Sequence, residues 1–306
     1  MKTCAVSIDL DPIRHYYGIH GIAVAPEDRA CTAGLERFLA FADERRFKAT
    51  LFVVAAELSR PAFVSIIKDA ARAGHEIANH TLSHRYDLSR LPAEEIKKEI
   101  LDAHVKIAAA AGRGPAGFRA PGYTLCGTMI EVLETAGYAY DSSAFSSAPY
   151  YAVKAAVMGA SHIAGRKSAA ILAPASSLSA PSKPYHPSPD DPYAEGGAKL
   201  LEFPIPLTPV LGVPLIGTTF VLAGKAWGRV LLRGIDSHAM FNLEFHGIDF
   251  LDRAEVGEGL LKARQPDARL GLETKMERFG RLFDYLKDRR FETLSQAASR
   301  MGENAK

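Results

Sequence analysis

The chain has 306 residues, 47% hydrophobic and 24% charged, with a formal net charge of +2. That balance suits a soluble chain with a large core, and so small a charge, with no block of like charges, gives no reason to expect a nucleic-acid partner. Three cysteines, Cys4, Cys31 and Cys126, have no C-x-x-C spacing and one would be left over from any pairing, which favours reduced thiols over a disulfide framework or a zinc ribbon.

Met1 to Asp9 turns acidic too soon for the apolar region of a secretory signal, so the first residues read as a strand, with Val6 to Leu10 as its apolar run. Export by a standard signal is not expected. Leu35 to Arg46 has helical spacing, Ala49 to Val54 is β-rich, and Pro61 to Ala73 is again helical. The rhythm repeats with a strand at His75 to Ala78, a long helix from Pro92 to Ala111, a short strand at Gly117-Phe118, a helix from Thr124 to Ala136 and a strand at Tyr138 to Tyr140. Strands alternating with helices imply an α/β fold with parallel pairing, either a barrel or a doubly wound sheet.

Residues from about 146 to 197 break the rhythm, with Pro174, Pro181, Pro184, Pro187, Pro189 and Pro192 among serines and alanines. This reads as an insertion over one face, serving as a lid or as a solvated excursion. Regularity returns at Lys199 to Ile205, in a helical stretch from Phe220 to Arg233, in a strand at Met240 to Phe245 and in a terminal helix from Leu272 to Arg289. The apolar region from Phe203 to Leu232 is broken by four prolines, Lys225 and Arg229, so no transmembrane segment is expected. Within it, Val210 to Leu222 reads either as core or subunit interface of a homo-oligomer, or as a surface against a lipid chain.

Four segments carry chemistry. Ser7-Ile8-Asp9-Leu10-Asp11 sets two acids, two apart, at a strand end; they can share one site or cap a turn. Ala78-Asn79-His80-Thr81-Leu82-Ser83-His84 places two imidazoles four apart, able to grip one divalent ion together with a carboxylate. Gly117-Phe118-Arg119-Ala120-Pro121-Gly122-Tyr123 offers an arginine fork suited to Asp9 and a turn exposing backbone N–H groups, Gly122 foremost. Phe241 to Asp249 ends a strand in His246, a group placed to exchange protons near neutral pH. Asp141 is a candidate partner for His246, or a cap for Ser142-Ser143. A zinc protease would need glutamate directly after the first histidine; here that position is Thr81.

In this order, Asp9-Leu10-Asp11, Phe47 to Val53, Gly74 to His84, Arg119 to Gly122 and Phe245-His246 resemble the motifs of the polysaccharide deacetylases, the NodB-type or carbohydrate esterase family four superfamily, in a D-x-D variant branch. The resemblance implies a distorted (β/α) barrel of about seven strands, forming one domain over residues 1–300 with the 146–197 insertion. It implies that Asp11, His80 and His84 hold a divalent metal, Zn²⁺ foremost with Co²⁺, Ni²⁺ or Fe²⁺ as alternatives. Asp9 then matches the general base, Arg119 its tuner, His246 the general acid and Asp141 the acid supporting it, with Gly122 and Tyr123 at the substrate. The implied reaction removes an N-acyl, most often N-acetyl, group from an amino sugar in a glycan or a lipid-linked glycan precursor. The implied setting is cytoplasmic, at the inner face of the membrane where a lipid carrier serves. An allantoinase-like amidohydrolase, a deformylase and a non-catalytic glycan-binding barrel are the competing readings. The family's tryptophan-containing motif is not seen, since Trp227 is the one tryptophan and lies elsewhere.

Overall fold

All eight residues of the first strand, β1 (Thr3–Leu10), are buried, which is why it reads as a nearly continuous apolar run, interrupted near its end by Ser7 and Asp9. Seven further strands follow: β2 (Thr50–Val53), β3 (Glu76–Asn79), β4 (Gly117–Phe118), β5 (Tyr140–Asp141), β6 (Leu201–Glu202), β7 (Met240–His246) and β8 (Arg290–Glu292). The computed structural model describes residues 2–23, 27–163, 165, 167–263 and 265–304.

The strands pair in parallel in the order β6-β5-β4-β3-β2-β1-β7, with β8 beside the first half of β1. This is the expected α/β architecture, a curved seven-strand path with β8 added. The seam between its end strands is bridged by a side chain: Asn242 Nδ2 on β7 donates to Phe203 O at 3.1 Å and to Ser142 Oγ at 2.9 Å.

The helices are α1 (Ile13–Ile19), α2 (Leu35–Glu44), α3 (Pro61–Arg72), α4 (Ala93–Ala111), α5 (Gly127–Thr135), α6 (Ala148–Ile163), α7 (Gly217–Leu222), α8 (Lys225–Ile235), α9 (Gly257–Lys262), α10 (Leu272–Leu286) and α11 (Leu294–Asn304). Those expected from periodicity bury one stripe each. In α4 the stripe is Ile96, Ile100, Ala103 and Ile107, and Gly112 ends the helix in the left-handed conformation.

Three expectations need correction. The 146–197 stretch is not irregular throughout, because α6 fills its first third; its sixteen residues lack a polar face, so helical periodicity is hidden. The stretch read as one helix from Phe220 to Arg233 is two, broken at Ala223-Gly224. The helix ending at Leu286 is not terminal: β8 follows, and then α11, whose Leu294 and Ala297 pack with Ala5, Phe52, Ala78 and Tyr140 inside the barrel. Thr50 Oγ1 accepts the Leu294 N–H and Glu76 Oε2 the Ser295 N–H, so strand side chains cap the start of that helix. Among the described residues no helix is long and apolar enough to cross a membrane.

Candidate active site

Parallel strands deliver their C-terminal ends to one rim, and there the expected residues converge. Asp11 follows β1 and His80 follows β3, but the histidines lie on a loop. That loop is held in strained backbone: Thr81 and His84 have positive φ, as does Tyr123 across the site. The strain is offset by specific bonds. Asn79 Oδ1 accepts the Thr81 N–H at 2.8 Å, Thr81 Oγ1 accepts the His84 N–H at 3.0 Å, and Glu99 on α4 takes both the Ser83 hydroxyl and its N–H.

The Nε2 atoms of His80 and His84 each lie 3.1 Å from Asp11 Oδ1. His80 Nδ1 is 2.7 Å from Arg119 O, which assigns the proton to Nδ1 and leaves the Nε2 lone pair facing the carboxylate. Asp11 Oδ1 is buried and has no hydrogen-bond donor. Lone pairs opposed at this spacing repel unless a cation or proton lies among them, and three such donors suit a small divalent ion with open positions. The residues present therefore fit a metal. His84 is packed between His15, at 4.3 Å between ring centroids, and Tyr86, at 4.9 Å.

Asp9 lies beside this cluster, its Oδ2 3.8 Å from His80 Nε2 and its Oδ1 accepting Arg119 Nη1 at 2.6 Å. Arg119 is wholly buried. It donates further to Ser7 Oγ, Ser142 O and Ser142 Oγ, and its guanidinium sits 4.1 Å over the Phe52 ring. Despite burial, Asp9 and Glu244 keep Arg119 charged and shift its pKa upward.

His246 is the β7 residue in register with Asp9. Its Nε2 is 3.5 Å from Glu244 Oε1, and Asp9, Glu244 and His246 form a second cluster with ligand atoms within 4.8 Å of one another. Burial works against the imidazolium, but Glu244, Asp9, Asp11 and Asp249 outweigh it and push the His246 pKa up to about 9. Asp249 Oδ2 also accepts the His246 N–H at 2.9 Å, fixing the turn after the strand.

Asp141 is not the carboxylate at His246. It accepts the Ser143 hydroxyl at 2.6 Å, and burial raises its pKa beside Glu202. The carboxylate that sequence reasoning missed is Glu244, although strand alternation carries the signal: Asn242, Glu244 and His246 share one face of β7. Tyr123 donates its hydroxyl to Glu244. Gly122 has φ +66, and a Cβ there would lie 2.9 Å from the Tyr86 ring, so glycine suits both conformation and space.

Asp9, Asp11, His80, His84, Gly122 and His246 floor a cavity of about 780 Å³. Its outer wall is apolar, with Val153, Val157 and Met158 of α6, Ile19 and Leu222. The insertion thus supplies one wall of the site. Lys154 of α6 reaches Gly122 O at 3.4 Å, and burial lowers its pKa to about 8.

Residues 26–140 match the family described as Polysaccharide deacetylase. That segment holds His80, His84, Arg119 and Gly122 but neither Asp9 and Asp11 before it nor His246 after it. A peptidoglycan deacetylase of Helicobacter pylori is 26% identical over 154 residues, 48% of this chain and 52% of the relative, so the match spans about half that protein's length. Among solved structures, a protein of Mycobacterium smegmatis assigned to the polysaccharide deacetylases is 20% identical with a TM-score of 0.60, covering 99% of this chain and 92% of its own. Puue allantoinase is 16% identical with a TM-score of 0.59, over 97% and 89%. At these identities the two structures establish the shared fold.

Proposed function

For a chain whose residues 26–140 form a polysaccharide deacetylase family segment within a NodB-type α/β barrel, we propose a metal-dependent hydrolase that removes an N-acyl group, foremost acetyl, from an amino sugar. The observation that carries this reading is the meeting of two clusters beneath one cavity: Asp11, His80 and His84, then Asp9 and His246 with Glu244 buried behind them.

Asp11, His80 and His84 would hold the ion, with zinc best matched to two imidazoles and a carboxylate and cobalt, nickel or iron as alternatives. When bound, the ion supplies Lewis-acid polarisation of the amide carbonyl and a lowered pKa for water. Arg119 holds Asp9 through its Nη1 hydrogen bond and aims it at the floor, so Asp9 is the base that takes the proton from the attacking water. His246, held protonated by Glu244, is the acid that gives a proton to the departing amine. A base and an acid with opposite ionisation at neutral pH are what amide hydrolysis requires. The Gly122 N–H is the backbone donor assigned to the developing oxyanion.

The apolar outer wall favours a substrate with a hydrocarbon part next to the sugar, a glycan unit on a lipid carrier at the cytoplasmic membrane face. The allantoinase likeness is one of fold, and a cyclic amide remains the rival bond. Metal analysis of purified protein, combined with a mass-resolved screen of N-acyl sugars, glycan fragments and allantoin, tests both. Bound divalent metal with acetate release from an N-acetyl sugar is expected; allantoin turnover alone, or no hydrolysis by metal-loaded protein, would overturn the reading.

A further inference from the structure

The stretch from Val210 to Leu222 divides in the fold. Leu215, Phe220 and Val221 enter the core, whereas its two ends face outward with part of α8. Val210 is 91% exposed, Trp227 60% and Leu211 52%, and with Leu222 and Val230 they line a concavity of about 510 Å³. Isolated exposed apolar residues are ordinary, but a contiguous concave set containing tryptophan marks a binding surface. Next to it lies a second concavity, of about 370 Å³, with Lys225, Arg229, Arg278 and Arg281 in its wall.

Charge narrows the occupant. The eleven residues of α8 include Lys225, Arg229 and Arg233 and no acid, and none of these three forms an ion pair among the described residues. A two-fold dimer through this face would bring both copies of the cationic set together, because an isologous interface meets its own patch. An apolar surface with an exposed tryptophan, rimmed by unpaired cations, is instead suited to a bilayer whose headgroups are anionic. Position adds the third observation: Val213, Thr219 and Leu222 line both this concavity and the catalytic cavity.

We propose that the face formed by residues 208–213, α7 and α8 docks on an anionic lipid bilayer, with Trp227, Val210 and Leu211 entering the interfacial layer and Lys225, Arg229 and Arg233 meeting lipid phosphates. The catalytic cavity then opens beside the membrane surface. This surface does not depend on the chemistry assigned to the floor.

Trp227 is the chain's single tryptophan, so its emission reports on this face alone. The full chain is titrated with phosphatidylcholine vesicles, with and without phosphatidylglycerol, and followed by emission and co-sedimentation. With phosphatidylglycerol, Trp227 emission should shift to the blue, become protected from acrylamide and recover in high salt. The K225Q/R229Q/R233Q variant should bind on the order of a hundredfold more weakly. L211D should weaken binding with the cations intact. Both variants should keep the wild-type circular dichroism and the wild-type hydrolysis of any water-soluble amide the protein cleaves. Unchanged emission with the protein left in the supernatant would overturn the proposal, as would equal binding to neutral vesicles. Emission already blue-shifted in a lipid-free dimer seen by sedimentation velocity would reassign the face to self-association.

Discussion

Replacing Glu244 by glutamine tests how the site keeps His246 charged. The carboxylate is 3.5 Å from the imidazole, and at an effective dielectric constant of about 20 a unit charge at that distance contributes about 5 kcal/mol, roughly three pKa units. Glutamine keeps the shape and can still accept the Tyr123 hydroxyl, so the change is mainly one of charge. Burial continues to oppose the imidazolium, while Asp9, Asp11 and Asp249 continue to favour it. The His246 pKa should therefore fall from about 9 by about two units or more. The folded pKa is raised, so the wild-type histidine contributes stability that is full below its ordinary pKa and is lost as pH rises through about 9. Histidine-selective NMR titration of the purified protein measures the shift directly, and the alkaline limb of kcat/KM should move with it. If His246 titrates near 9 in both proteins, Glu244 is not what holds its proton.

Asp9→Asn should keep bound metal and lose about 10²- to 10⁴-fold in kcat, whereas His80→Ala should lose metal and activity together; elemental analysis beside the assay separates the two roles. Arg119→Met removes the charge and the fork that spans Asp9, Ser7 and Ser142 within a fully buried site, leaving Asp9 without its cation, and chemical denaturation should show a loss of about 3–5 kcal/mol. In Gly34→Ala the added Cβ would lie 2.5 Å from Gly247 O, next to His246, so a destabilisation of about 1–3 kcal/mol is expected. That variant should also show a lower kcat with metal content unchanged.

The part of the site legible from sequence is the part whose geometry is local. Asp9, Asp11, His80, Arg119 and His246 all stand at or just past strand ends, and a parallel sheet brings such ends together whatever the helices do. His84 is reached through a loop, but its distance from His80 is short enough that a metal-ligand reading needs only local bonds, here from Asn79, Thr81 and Ser83. Asp141 and Glu244 show where locality stops. Both are strand residues, but Asp141 sits on β5 beside Glu202, while β7 lies directly against β1 and carries Glu244 to Asp9 and Arg119. Alternation along β7 can place Glu244 on the face of His246, but setting Asp141 aside requires the order of strands around the barrel, which one sequence does not contain. The same holds for α6: it has no polar face to pattern against, because its cavity side carries Val153, Val157 and Met158 while its other exposed side carries Ala152, Ala155, Ala156 and Gly159. Ser161 is the one buried residue of α6, while Val153 and Val157 remain open to the space above the catalytic floor. An apolar helix left uncovered at the mouth of a site gains stability when apolar material fills that space, so a substrate with a hydrocarbon part would tighten the insertion as it binds.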